Sequence, residues 1–180
     1  TPQLTFGPGA EAVFDALDTA GVPVERISAA SIEQRFPAFA GRGDAVLETT
    51  SAVIAADRTL ESLREAASAE LREHARVERV EANLVETATE RFEANTVVVC
   101  AGPWSRALVP ELPTTPTLEH AGYVRVAGEL PIFIDFTEPA VYGLPTPGTD
   151  LYKLAVHHGG PPIDPDREFA PDPGALAVLQ

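Results

Sequence analysis

The sequence predicts an α+β fold, with helices and strands alternating through its first hundred residues and strands dominating after them. Two observations carry this. Apolar residues recur at helical spacing around residues 10–20 and 57–74, whereas 13 of the 17 prolines lie beyond residue 100, among period-two runs and turns. At 180 residues and 44% hydrophobic content the chain can bury a real core, as one ordinary domain or two small halves.

Each element follows from its local pattern. Leu4-Thr5-Phe6 is a short strand closed by Gly7-Pro8-Gly9. From Ala10 to Ala20, Val13, Phe14 and Leu17 share one helical face, and Gly21 with Pro23 stops the helix. Val24–Ile27 is a strand. Ser31-Ile-Glu-Gln34 fits a capping box with Ser31 as N-cap, and the short helix it opens must end before Pro37. Gly41-Arg42-Gly43 lacks a third glycine and leads into Val46–Thr50, which is not a helix opening, so it is a turn rather than a dinucleotide loop. Asp57 can cap a helix reaching His74, with Leu60, Leu63, Ala67 and Leu71 as its apolar stripe. Strands are expected at Arg76–Val80, Asn83–Glu86 and Glu90–Glu93. The unbroken apolar run Thr96–Cys100 predicts a strand covered on both faces. Further strands are expected at Leu118–Val126, Pro131–Phe136, Ala140–Leu144 and Leu151–Val156, forming an antiparallel sheet. Gly159–Gly174 is a loop of extended pieces, and the stretch from Ala175 to Gln180 opens a further helix.

Composition excludes several functions. A net charge of −14 argues against nucleic acid and anionic membranes as partners, because both require a basic footprint. No apolar run approaches a membrane span, and the N-terminus is not a signal peptide. Cys100, the single cysteine, forms no internal disulfide and offers no multi-cysteine metal site, which fits a reducing cytoplasm. There is no methionine, so Thr1 is not an encoded start, and both ends have the look of a piece of a longer protein.

Of 13 basic residues, Lys153 is the only lysine. An ammonium on a flexible stem can hold a buried anion or activate a small molecule, which a guanidinium does poorly. The plain alternative is a sheet-edge lysine that discourages edge pairing. On a strand, Lys153 and His157 share a face, and a hairpin can bring Tyr142 to the same face. Such a cluster suits binding an anion or tuning a redox cofactor. Adjacent strand residues point to opposite faces, so His157 and His158 are not expected to share a metal, and no metal site is predicted. Val97-Val-Val-Cys-Ala101-Gly102 ends in small residues that let a flat ligand approach the backbone, or else it is a core strand turning a corner. Trp104 beside it covers a ligand or fills a gap.

Taken in order, these residues resemble the sarcosine oxidase and N-methyltryptophan oxidase family of FAD-dependent amine oxidases. Five blocks carry the resemblance: Leu4–Pro8; Ser28–Pro37, ending Arg35-Phe36-Pro37; Thr96–Ser105, with Gly102-Pro103-Trp104; Pro131–Asp135 followed by Tyr142–Pro145; and Lys153–His157 with Asp164-Pro165-Asp166 downstream. The resemblance implies a mixed, largely antiparallel substrate-domain sheet with flanking helices, formed by residues 1–50 and 109–180. It also implies a partial α/β layer of an FAD-binding domain from residues 51–108. By the same resemblance, the family's oxygen-activating lysine falls on Lys153, its active-site histidine on His157 and its substrate-pocket tyrosine on Tyr142. The FAD-binding positions fall on Val77, Ala101, Gly102 and Trp104. The implied partners are a small-molecule amine or N-methyl amino acid and O2, with an imine and H2O2 as products. The alternatives are a non-catalytic binding module and another FAD-dependent amino-acid oxidase or dehydrogenase. The family's opening Gly-x-Gly-x-x-Gly loop and its C-terminal flavin-linking cysteine have no counterpart here. An internal segment of such an enzyme is therefore expected, with little FAD binding by this chain alone.

Overall fold

Leu4, Thr5 and Phe6 are all buried, and they form most of β1 (Gln3–Phe6) in the computed structural model, which describes residues 1–177. Helix α1 (Ala10–Thr19) follows and half-buries Val13, Phe14 and Leu17; Gly21, at φ +71°, ends it in a conformation that glycine adopts freely. Strand β2 (Val24–Ile27) leads to α2 (Ala29–Arg35), a 3₁₀ turn at Pro37–Phe39 and β3 (Ala45–Glu48). After α3 (Ala56–Ala66) come β4 (Val77–Glu81), β5 (Leu84–Thr87) and β6 (Arg91–Glu93). A 3₁₀ turn at Gly102–Trp104 opens α4 (Ser105–Leu108). Strands β7 (Ala121–Arg125), β8 (Ile132–Asp135), β9 (Val141–Pro145) and β10 (Leu151–Val156) follow, then the short α5 (Pro173–Leu176). The helix expected to continue to Gln180 lies, beyond residue 177, outside the described residues.

Three expectations are corrected. The cap of α2 is Ser28, not Ser31: Ser28 is extended (φ −74°, ψ 155°) and its hydroxyl accepts from the Ser31 amide, so Ser31 already sits three residues into the helix. The helix expected from Asp57 to His74 stops at Ala66. Leu60, Leu63 and Leu71 are all exposed, so the apolar stripe has no packing to hold its second half in a helix. The strand expected at Thr96–Cys100 does not form: the stretch has no regular secondary structure and no ladder partner among the described residues, and Val98 is 78% exposed. A β-branched run specifies extension, but a strand needs neighbours to pair with, and none of the described strands supplies them.

The chain divides into two compact units. The first comprises Thr1–Arg64, Glu119–Gly160 and the stretch from Pro171; the second comprises Glu65–Leu118 and Pro161–Ala170. The first unit holds a seven-stranded sheet in the order β2-β3-β1-β8-β9-β10-β7. Its strands pair antiparallel except at β1–β8, where Leu4 lies beside Phe133 in a parallel ladder. The sheet is mixed and largely antiparallel, as expected.

On one face of this sheet Leu4, Phe6, Ile27, Leu47, Phe133 and Tyr152 are buried beneath Ile32 of α2 and Phe39 of the first 3₁₀ turn. The Phe39 ring lies 6.0 Å from Phe6 and 5.3 Å from Phe133, and Phe133 stacks 6.4 Å from Tyr152. The Tyr152 hydroxyl donates to the Pro131 carbonyl at 2.5 Å, and burial pushes its phenol above the ordinary range. On the other face α1 covers the β1–β3–β2 end, where Arg26 lies 3.6 Å over the Phe14 ring. The second unit carries the antiparallel sheet β4-β5-β6, with α4 packed on β4.

Candidate functional site

Register determines what meets on the face of the large sheet beyond α1. Ala155 of β10 lies opposite Tyr142 of β9, and residues directly opposite in an antiparallel pair share a face. Lys153, two residues before Ala155, therefore projects on that face too. The Lys153 ammonium lies 5.7 Å from the centre of the Tyr142 ring, and the His157 ring meets the same ring edge-on at 6.0 Å and 87°. The three residues singled out in the sequence thus converge, with Tyr142 at the centre. Lys153 makes no ion pair among the described residues, so the contact with Tyr142 is its main electrostatic partner in this unit. A groove of about 350 Å³ opens beside it, walled by Tyr123, Leu144 and Pro147 and by Val53, Ile54 and Asp57.

The histidine pair departs from expectation. Strand β10 ends at Val156, and His158 takes φ +61°, so the two imidazoles do not point to opposite faces. Their ring centres lie 3.9 Å apart, and His157 also meets Phe136 edge-on at 6.3 Å. Even so, no group of three His, Cys, Asp or Glu among the described residues is arranged to hold a metal ion.

The remaining candidates lie in the second unit. Val77 is half-buried at the start of β4. Ala101 and Gly102 enter the 3₁₀ turn, and at Gly102 (φ +52°) a Cβ would meet nothing within 4 Å, so the backbone there is open to close approach. Trp104 fills no gap: it is 42% exposed, and its indole donates to Asp166 Oδ1 at 2.8 Å. Arg76, beside Val77, grips the same carboxylate with two nitrogens at 3.1 and 2.8 Å. The Arg76 hydrogen bonds, followed by that from Trp104, hold the Asp166 carboxyl below its usual range. Sequence reasoning missed this cluster, although Asp164-Pro165-Asp166 carried a signal. The Asp164 carboxylate accepts from the Asp166 amide at 3.0 Å, a turn that such a spacing favours.

A flavin dinucleotide needs an open face for its ring and backbone amides for its phosphates. In the first unit the open Lys153 face suits the ring end, but the glycine turns among its described residues supply no phosphate cradle. Gly41–Gly43 leads into β3 rather than a helix. Gly7-Pro8-Gly9 does open α1, yet Asp135 Oδ1 lies 3.1 Å from where a Gly7 Cβ would stand and the Phe136 ring 2.7 Å from that of Gly9. Glu11 adds negative charge in that helix's first turn. The first unit's described residues therefore fit the ring end of such a group and not its phosphates.

A family described as FAD dependent oxidoreductase matches residues 5–179. The chain belongs to this family. Peroxisomal sarcosine oxidase of Mus musculus is 28% identical over 189 aligned positions, covering 91% of this chain and 48% of its own length. Monomeric sarcosine oxidase of Bacillus sp. (strain B-0618) is 27% identical, covering 94% of this chain and 51% of its own length. The chain spans about half the length of the curated relatives it matches. The crystal structure of glycine oxidase from Geobacillus kaustophilus aligns with a TM-score of 0.71 at 17% identity, covering 97% of this chain and 50% of that one, a likeness of fold. The five sequence blocks resemble sarcosine oxidases, and two sarcosine oxidases are among the relatives found. No helix among the described residues is long and apolar enough to cross a membrane.

Proposed function

We propose that this chain is part of an FAD-dependent oxidase that acts on the C–N bond of a secondary or primary amine or amino acid, sarcosine-like in kind. The electrons pass to O2, and the products are an imine and H2O2. One observation carries the reading: Lys153, Tyr142 and His157 meet on a single sheet face in a chain of this family. In this reading residues 1–50 and 109–180 belong to the substrate domain, and 51–108 to a partial FAD-binding domain. Val77, Ala101, Gly102 and Trp104 line the flavin dinucleotide, and the protein works in the reducing cytoplasm, consistent with an exposed free thiol at Cys100.

What FAD supplies when bound is a two-electron acceptor. Lys153 supplies a localised positive charge that stabilises the negative charge building on O2 as it is reduced. The Tyr142 ring holds the ammonium by its π face, which leaves that charge un-neutralised. His157 and Tyr142 together shape one wall of the amine pocket.

The test uses the full-length protein. Lys153→Met should slow flavin reoxidation by O2 by about a hundredfold, the scale for losing one positioned electrostatic stabiliser, and leave flavin reduction by the amine nearly unchanged. Equal loss in both half-reactions would sink the oxygen-activation role. A wild type that reoxidises quickly only with an artificial acceptor favours a dehydrogenase. A purified product without a flavin absorbance band favours a non-catalytic module.

A further inference from the structure

We propose that Glu119 is a positioning residue for His157: its carboxylate clamps the Gly159–Gly160 turn, and that clamp holds the His157 imidazole against Tyr142. The proposal rests on the reading above, in which His157 belongs to the amine pocket. The His157 amide still donates to the Ala140 carbonyl at 2.8 Å, but the next residue leaves the strand. His158, at φ +61°, is one of two non-glycine residues among those described with positive φ. Such a conformation costs energy in a residue with a side chain and persists only where its surroundings hold it.

What holds it is the pair of amides that follow. The Gly160 N–H donates to Glu119 Oε1 at 3.1 Å and the Gly159 N–H to Oε2 at 3.4 Å. Hydrogen bonds from amides to a carboxylate are stronger than neutral ones. Glu119 sits just ahead of β7, the strand paired to the far side of β10, so the clamp ties the turn back to the sheet that carries Lys153. The fold-back also brings residue 159 close to the strand, where a Cβ would stand 3.1 Å from Val156 Cγ1. With the turn held, the His158 ring lies 3.9 Å from that of His157 and blocks the rotation that would carry it away from Phe136 and Tyr142.

The experiment reads position directly, by NMR of the four histidine side chains and of the Gly159 and Gly160 amides in the full chain. In the wild type the His157 ring should carry shifts from the aromatic rings around it, and the two amides should exchange slowly. Glu119→Ala should move the His157 signals toward free-imidazole values and speed amide exchange by about tenfold or more, the scale for a hydrogen bond to a charged group. Glu119→Gln keeps one acceptor oxygen and should restore most of both. A His157 spectrum unmoved by Glu119→Ala overturns the proposal, as does amide exchange that stays slow. Should that variant lose the fold, Gly160→Pro deletes one clamped amide and must release His157 in the same way, or the proposal fails. None of these signals needs flavin or substrate. If they move as expected while the full-length protein oxidises no amine, the clamp stands and only the amine reading falls.

Discussion

Gly143→Ala probes how tightly the candidate site is built on the core, because Gly143 follows Tyr142 but faces the opposite side of the sheet. A Cβ there would stand 2.5 Å from Phe133 Cε1, 2.5 Å from Tyr152 Cε1 and 2.8 Å from Leu154 Cδ2. Neither aromatic ring has room to yield. Phe133 is wedged between Phe39 and Tyr152, and Tyr152 is 2% exposed and tethered by its hydroxyl to Pro131. Overpacking a core costs about 1–3 kcal/mol, and three contacts this short put the cost near the top of that range. Alanine recovers about 0.4–1 kcal/mol by restricting the unfolded chain, leaving a net loss of about 2 kcal/mol. With a urea m-value of about 2 kcal/mol/M, the unfolding midpoint should fall by about 1 M at constant m. A midpoint that stays or rises would refute the reasoning, since the core would then be able to relax around an added methyl.

Two further outcomes follow from the ion pairs. Because Arg76 and then Trp104 lower the Asp166 carboxyl, the stabilisation they give is fully present above its unfolded value of about 4 and is lost as pH falls through the lower folded value. The emission of Trp104, the only tryptophan, should therefore hold steady from pH 7 to about 5 and shift only below about pH 4; a transition above pH 5, or one that persists in Asp166→Asn, contradicts this. Arg42→Ala leaves the Asp135 carboxylate, whose side chain is 10% exposed, with only the Thr137 amide as hydrogen-bond donor among the described residues. Urea unfolding should register a loss of about 1–2 kcal/mol, largely recovered by adding Asp135→Asn, and a loss within surface noise would mean the pair is idle.

What the sequence discloses is what short-range chemistry controls. Strands β1, β2, β8, β9 and β10 follow their period-two patterns and turn residues closely, and the Lys153–Tyr142–His157 grouping follows from strand parity plus one hairpin. The misreadings share a different cause. Residues 67–74 and 96–100 have the local preferences of a helix and a strand, but those elements need partners, and among the described residues neither finds them. The capping error at Ser31 arose because Ser28 fits the same chemistry three residues earlier. Glu119 left no trace in the sequence, since its acceptors' partners lie some forty residues away and are backbone amides, which every residue carries.

The β1–β8 ladder has a consequence for how the first unit is assembled in time. Strands β1–β3 and strands β7–β10 are each local arrangements that can begin to form as their own segments leave the ribosome. Among the described strands one seam joins them, and it pairs Gln3 with Ile132, so it must wait until the residues that separate its two strands have been synthesised. Loop closure over that span costs only about 1 kcal/mol more than closing β1 on β3. The larger burden is kinetic, because non-local pairing, and a parallel ladder in particular, forms slowly. Until it forms, β1 and β8 each present a bare edge, which makes this seam the step at which a molecular chaperone would have most to do.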